Sequence, residues 1–196
     1  MTRGSLIHWI IVGLVIFLVL FPFLWLIQMS FKIEVEAFRM PPKLLLVPTL
    51  QNYFDLLDSK FLRYFLNSTV TASATTLLSL LIGVPPAYAL SRARFRHSGL
   101  LSLWIPFTRM VPPITFGIPF FMIYRQIGLI DTLFGVTIVY LTFNLSLVIW
   151  MMRTFFDGMP RSLEEAAYID GASPTQTFLR ITLPLAAPGL ATTAVF

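Results

Sequence analysis

The sequence holds 196 residues, 57% of them hydrophobic and 12% charged, with mean hydropathy +0.80 and a formal net charge of +5. That balance excludes an ordinary soluble domain, in which about 25% of residues are charged. Cysteine is absent, which excludes disulfides, thiolate metal sites and cysteine nucleophiles, and His8 and His97 have no ligand-spaced partners.

The charges are clustered, and four long apolar runs remain, at about 6–29, 66–90, 100–124 and 129–152, with Arg109 the one charge in the third and Asp131 the one in the fourth. Each can cross a hydrocarbon core of about 30 Å, which takes about 20 helical residues. The runs are continuously apolar rather than alternating, so they predict an all-α, polytopic membrane helix bundle and not a β-barrel. The net positive charge reads as membrane topology and not as a nucleic-acid surface.

The first run is longer than a signal-peptide core and no small-residue cleavage site follows Met29. It predicts a retained helix over 1–29 with a short N-terminal tail. Residues 30–65 carry charges of both signs, and Pro41, Pro42 and Pro48 predict an extended segment with little regular structure.

The core is expected over 66–196. Its first span is rich in Ser, Thr, Ala and Gly, which let helices approach closely in lipid. Pro85 and Pro86 should kink its end. Arg92, Arg94 and Arg96 follow without a nearby acid, so this connection and Arg3 belong to the cytoplasmic side, as does the N-terminus. The next span holds Arg109, Pro112, Pro113, Gly117 and Pro119, and should be a broken helix. Irregular backbone at membrane depth is tolerated where protein or a water-filled cavity surrounds it, so Arg109, Pro112 and Pro113 are candidates for a translocation path. Arg109 sits about ten residues into its run, about 15 Å at helical rise, which makes snorkelling harder. Trp25, Trp104, Trp150, Tyr88, Tyr124 and Tyr140 suit membrane interfaces or sugar stacking, and none is assigned to a sugar.

Alternation places residues 153–184 in the cytoplasm. Ser162 and Glu165 are spaced as a capping box, Glu164 and Glu165 favour a first helical turn, and Gly171 suits a left-handed helix end. Ser173, Pro174 and Gln176 open a second helix, which Pro184 should kink or stop. The expectation is helix, glycine turn, helix, with Ala166 and Ala167 giving a narrow face to a partner. The stretch from Leu185 to Phe196 is too short to span, so the sequence reads as a piece cut inside a fifth helix.

Glu165-Ala166-Ala167, then Gly171, then Ile181-x-Leu183-Pro184 resembles the coupling loop of permease subunits of type I ATP-binding-cassette importers. Asn52-Tyr53-Phe54, Tyr64 to Ser68, Ala87 to Arg92 and Gly128 to Thr132 are similar to the second, shorter permease of the maltose-transporter type. The resemblance implies the type I importer permease bundle, here truncated in its fifth helix, and alternating access driven by a partner ATPase. It implies a bacterial or archaeal cell membrane, a second permease, two ATPase subunits, an extracytoplasmic solute-binding protein, and a sugar as solute. Glu164, Glu165, Ala166, Ala167, Asp170 and Gly171 would form the ATPase-coupling surface. The chain has no phosphate-binding G-x-x-x-x-G-K-[ST] loop, so it is expected to be a transport subunit and not an enzyme, without a cofactor, ATP and magnesium being bound by the partner. The alternatives are an importer of polyamine, amino acid or phosphate, or a channel without an ATPase.

Overall fold

The computed structural model describes residues 3–40, 48–92 and 98–196. Pro41, Pro42, Lys43, Arg94, Arg96 and His97 lie outside the described residues. All regular structure among the described residues is helical. Three helices are long and apolar enough to cross a membrane, and a bent pair over Pro174–Leu185 and Ala187–Val195 passes the same test. The chain divides into two compact units that meet at Leu66 and Asn67.

In the first unit, α1 runs over Arg3–Ser30 without interruption at Pro22. Its side chains from Ile7 to Ile27 are nearly all apolar and exposed, as suits a helix in lipid or against other subunits. The expectation of an extended segment after it is corrected by two short helices, α2 at Glu34–Ala37 and α3 at Gln51–Asp58. Local polar bonds outweigh the flanking prolines. The Thr49 hydroxyl accepts from the Gln51 N–H at 3.1 Å, and the Gln51 amide donates to Asp55 one turn on at 2.7 Å. The Asn52 amide then donates to the carbonyls of Ser30 and Lys32, at 2.9 and 2.7 Å, and ties α3 to the end of α1.

Helix α4, Phe61–Arg92, crosses into the second unit and passes through Pro85 and Pro86 without ending. Its buried positions include Thr71, Thr75, Ser79, Gly83, Ala87 and Ser91, a strict four-residue repeat that forms one ridge of small side chains. Against that ridge lies α7, Leu133–Asp157, running parallel: Gly83 meets Val148, and Ser91 meets Asp157 further along. Parallel neighbours require the chain to return between them. It does so through α5, Ser98–Phe107, and α6, Gly117–Ile127, separated by 3₁₀ turns at Thr108–Met110 and Pro113–Phe116. The expected discontinuity is present, and each half is too short to span alone. Val111 and Pro112 are extended, because the residue before a proline is pushed out of the helical region.

Helix α11, Ala187–Val195, runs antiparallel to α7, with Gly189 on Phe155 and the Thr193 hydroxyl 3.4 Å from the Met152 sulfur. A Cβ at Gly189 would lie 2.6 Å from the root of the Phe155 ring. Gly189→Ala should therefore push α11 off α7, at about 1–3 kcal/mol. A lower melting temperature of the full-length complex is the expected readout, and an unchanged one would mean that Phe155 simply swings aside. The buried apolar cluster of Val84, Ala87, Val148, Met152, Phe156 and Ala186 lies toward the end of α4 and α7 where the polar loop begins.

Candidate functional site

After α7 the chain turns into α8, Ser162–Ile169. The capping box expected at Ser162 is not formed. Arg161 already has helical backbone angles, and its carbonyl accepts from the N–H groups of both Glu164 and Glu165 at 3.0 Å. Ser162 is thus inside the helix, where its hydroxyl cannot cap as an extended N-cap residue does. Arg161 is held there by its guanidinium, which donates to the Ser91 carbonyl at 3.1 Å.

The other end of α8 matches its sequence. Asp170 is the C-cap and Gly171 follows at φ +86°, the left-handed conformation that a side chain disfavours. Ser173 and Gln176 form both bonds of a capping box, with Pro174 as first residue of α9, Pro174–Thr177. A π-helical stretch over Phe178–Thr182 follows, then α10, Leu183–Leu185. Pro184 does not stop the helix where it stands: the chain bends by 66° between the segments flanking Ala186.

The two glutamates of α8 are divided between inside and outside. Glu164 is 6% exposed, whereas Glu165 points outward. Arg92, the last residue of α4, donates to Glu164 from Nε to both oxygens at 2.9 Å and from Nη2 to Oε1 at 2.8 Å. Thr182 of the π-helical stretch donates to Oε1 and Tyr88 to Oε2, each at 3.2 Å. The remaining guanidinium arm donates to the Phe156 carbonyl at 2.9 Å and to the Ser91 hydroxyl at 3.0 Å, and Ser91 donates to Asp157 at 2.6 Å. Tyr88 is wedged between Phe156 and Phe178, with ring centroids 5.5 and 4.7 Å away. The carboxylate therefore ties α8 to the end of α4 and to the following helix, and Arg92 and Ser91 carry the tie on to the end of α7. π-Helical widening recurs at functional sites, and here it belongs to the turn that brings in Thr182.

Burial by itself pushes the Glu164 carboxyl up, but the hydrogen bonds and charge of Arg92, with Thr182 and Tyr88, outweigh it and hold the group below its usual 4.5. Because the folded value is the lower one, the clamp contributes fully above the unfolded value and is lost as pH falls through the folded one. The melting temperature of the parent complex should therefore fall more steeply below about pH 4 than that of Glu164→Gln. Parallel acid limbs would show that the pair adds nothing.

The outward face of the loop is apolar and polar by turns. Ile169 is 87% exposed, and Leu163, Glu165, Ala166, Tyr168, Asp170 and Gly171 are exposed around it. Ala166 and Ala167 do not share a face: Ala167 is buried inside. Arg109 is exposed in the 3₁₀ turn of the broken return, beside Pro112 and Pro113 and away in sequence from the clamp. Reading the sequence missed Tyr88, Ser91, Arg92, Asp157 and Thr182 as clamp residues. Two adjacent acids in one first turn, where one face must pack, were the available signal.

Residues 79–196, which hold this whole arrangement, match the family of binding-protein-dependent transport system inner membrane components. The chain belongs to that family. Among the proteins similar to it are the inner membrane ABC transporter permease protein YcjP of Escherichia coli K12, 35% identical over 94% of this chain and 68% of its own length, and the trehalose transport system permease protein SugB of Mycobacterium tuberculosis, 35% identical over 96% and 69%. The trehalose/maltose permease MalG of Thermococcus litoralis is 35% identical over 90% of this chain and 64% of its own length. A solved ABC transporter involved in the import of the acidic polysaccharide alginate superposes with a TM-score of 0.75 at 30% identity, over all of this chain and 70% of the solved one. The chain spans about two thirds of the length of the curated relatives it matches, from 57% to 69%.

Proposed function

We propose that the chain is the second, shorter permease of an ATP-driven sugar importer, working with another permease, two ATPase subunits and an extracytoplasmic solute-binding protein. The observation that carries this reading is the loop that turns Glu164 inward and leaves Ile169, Glu165 and Ala166 outward. An exposed isoleucine in a short polar segment between membrane helices suits a partner surface that covers it. ATP and magnesium belong to the ATPase. Its closure moves α8, and the clamp carries that movement to α4 and α7. Arg109, Pro112 and Pro113 border the path. The relatives named for trehalose and maltose transport support a sugar as solute. Arg92, Arg94 and Arg96 in the sequence support a cytoplasmic side for α8 and the N-terminus.

The test is uptake of maltose and trehalose by vesicles carrying the full-length protein with its partners, ATP being supplied on the α8 side. Uptake that requires ATP and the binding protein is expected, and its absence for both sugars overturns the sugar reading. A lone cysteine at position 165 should resist an impermeant thiol reagent added outside intact cells. Labelling from outside overturns the orientation.

A further inference from the structure

In the first unit, helix α3 divides its side chains by face. At about 100° per residue, Asp58, Gln51 and Asp55 fall within an arc of about 60°. Leu57, the N-cap Leu50 and Phe54 fill a second arc of the same width beside it. These three apolar side chains are 57%, 54% and 58% exposed, so the unit itself does not cover them. The remaining side, with Asn52 and Tyr53, faces the end of α1.

The level of α3 is fixed from both ends. A helix leaves its last carbonyls without intrahelical partners, and α1 has its own satisfied from the segment that opens α3. The Thr49 N–H donates to the Phe31 carbonyl at 2.8 Å, and the Asn52 amide to those of Ser30 and Lys32. The hydroxyls of Tyr53 and Ser30 share a hydrogen bond at 2.7 Å, and the rings of Tyr53 and Phe31 lie 5.6 Å apart. At the other end, only Ser59 and Lys60 separate α3 from the start of α4, a reach of about 10 Å. Both α1 and α4 are long and apolar enough to cross a membrane. A helix held between the end of one span and the start of the next lies at the membrane surface. The side chains around it suit that level. The Lys32 ammonium sits 5.6 Å over the Trp25 ring, and exposed Phe61, Tyr64 and Phe65 open α4. Lys60 and Arg63 are exposed beside them, at the height of lipid phosphates.

We propose that α3 is an interfacial helix, seating Leu50, Phe54 and Leu57 at the boundary between headgroups and acyl chains of the phospholipid bilayer, with Asp55 and Asp58 toward water. Interfacial helices bury their apolar face about 5–10 Å into that boundary. An arc this short would bind lipid weakly as a free peptide, but the tie to α1 and the short link to α4 make its contact intramolecular. The acids of α3 itself make anionic lipid unnecessary, and the cations that follow it are placed for the phosphates of any phospholipid. Through the Asn52 bonds the helix then fixes the depth and tilt at which α1 leaves the membrane. The assignment does not depend on which solute is carried or on the loop around α8.

The experiment uses the full-length complex in phosphatidylcholine nanodiscs, with one cysteine in the complex carrying a bimane fluorophore. Leu57→Cys puts the probe on the apolar arc, and Asp55→Cys puts it about 200° round the helix. Assembly is checked by co-purification, and Phe54→Cys replaces Leu57→Cys if that variant does not assemble. The probe at 57 should emit to the blue of the probe at 55. It should lose intensity when the lipid is brominated high on its acyl chains, and keep it in iodide. The probe at 55 should do the reverse. A probe at 57 that iodide quenches shows a helix standing in water and overturns the proposal. A probe at 57 shielded from both quenchers shows that another protein covers the arc, and overturns it too. Lipid quenching that is equal at 55 and 57 overturns the assigned face. None of these readouts requires uptake, so a complex that imports neither maltose nor trehalose refutes the sugar reading and leaves this result standing.

Discussion

Glu164→Leu should destabilise the full-length complex and break the link between ATP hydrolysis and transport, and Arg92→Leu in the same chain should restore much of the stability. The single change leaves Arg92, whose side chain is 15% exposed in the parent, without its three bonds to Glu164. Removing one member of a buried ion pair costs about 3–5 kcal/mol, because the other charge is stranded, whereas replacing both with apolar side chains is often neutral. The double variant should therefore regain its melting temperature and its co-purification with the partner subunits. It should not regain coupled uptake. Two leucines pack without direction, so α8 is no longer fixed by oriented bonds to the end of α4, nor through Arg92 to the end of α7. Thermal melting, co-purification and vesicle uptake on the four members of the cycle measure this. A double variant that transports like the parent would show that the clamp only stabilises. A single variant that melts like the parent would show that it does not even do that.

Gly171→Val should abolish transport while the spans stay folded. A Cβ at Gly171 meets nothing within 4 Å, so the obstacle is not space but backbone: φ is +86°. A branched residue held there costs roughly 1–2 kcal/mol or more, and the turn relieves it by rotating α8 against α9. That rotation would move Ile169 and Glu165 off the proposed partner surface. Glu165→Ala is expected to be milder, since Glu165 is exposed and its carboxylate caps nothing on α8. The measurement is binding-protein-stimulated ATP hydrolysis together with uptake, with assembly checked by co-purification. Transport at the parent level by Gly171→Val would remove the loop from the mechanism.

Composition, apolar runs and residue chemistry by themselves determined the helical class, the long helices over the runs at about 6–29, 66–90 and 129–152, which the structure bounds at Arg3–Ser30, Phe61–Arg92 and Leu133–Asp157, and the break near Pro112 and Pro113. They also determined the glycine turn at 171 and the capping box at Ser173. Each of these rests on interactions within a few residues, and local chemistry is written locally. Tertiary structure alone decided which glutamate turns inward. Glu164 and Glu165 are equivalent by type and neighbourhood, and only the end of α4, 72 residues away, places an arginine opposite one of them. It also decided the start of α8, because Arg161 is held in helical conformation by a carbonyl 70 residues distant. The helix at Gln51–Asp58 forms where prolines argued for extension, since the Asn52 amide finds two carbonyls at the end of α1. The polar row from Asn67 to Ser79 is plain in the sequence as small and hydroxylated residues. That its Thr71, Thr75 and Ser79 turn inward, on the same ridge that brings Gly83 against Val148 of α7, is a property of how the helices pack, which no local pattern records.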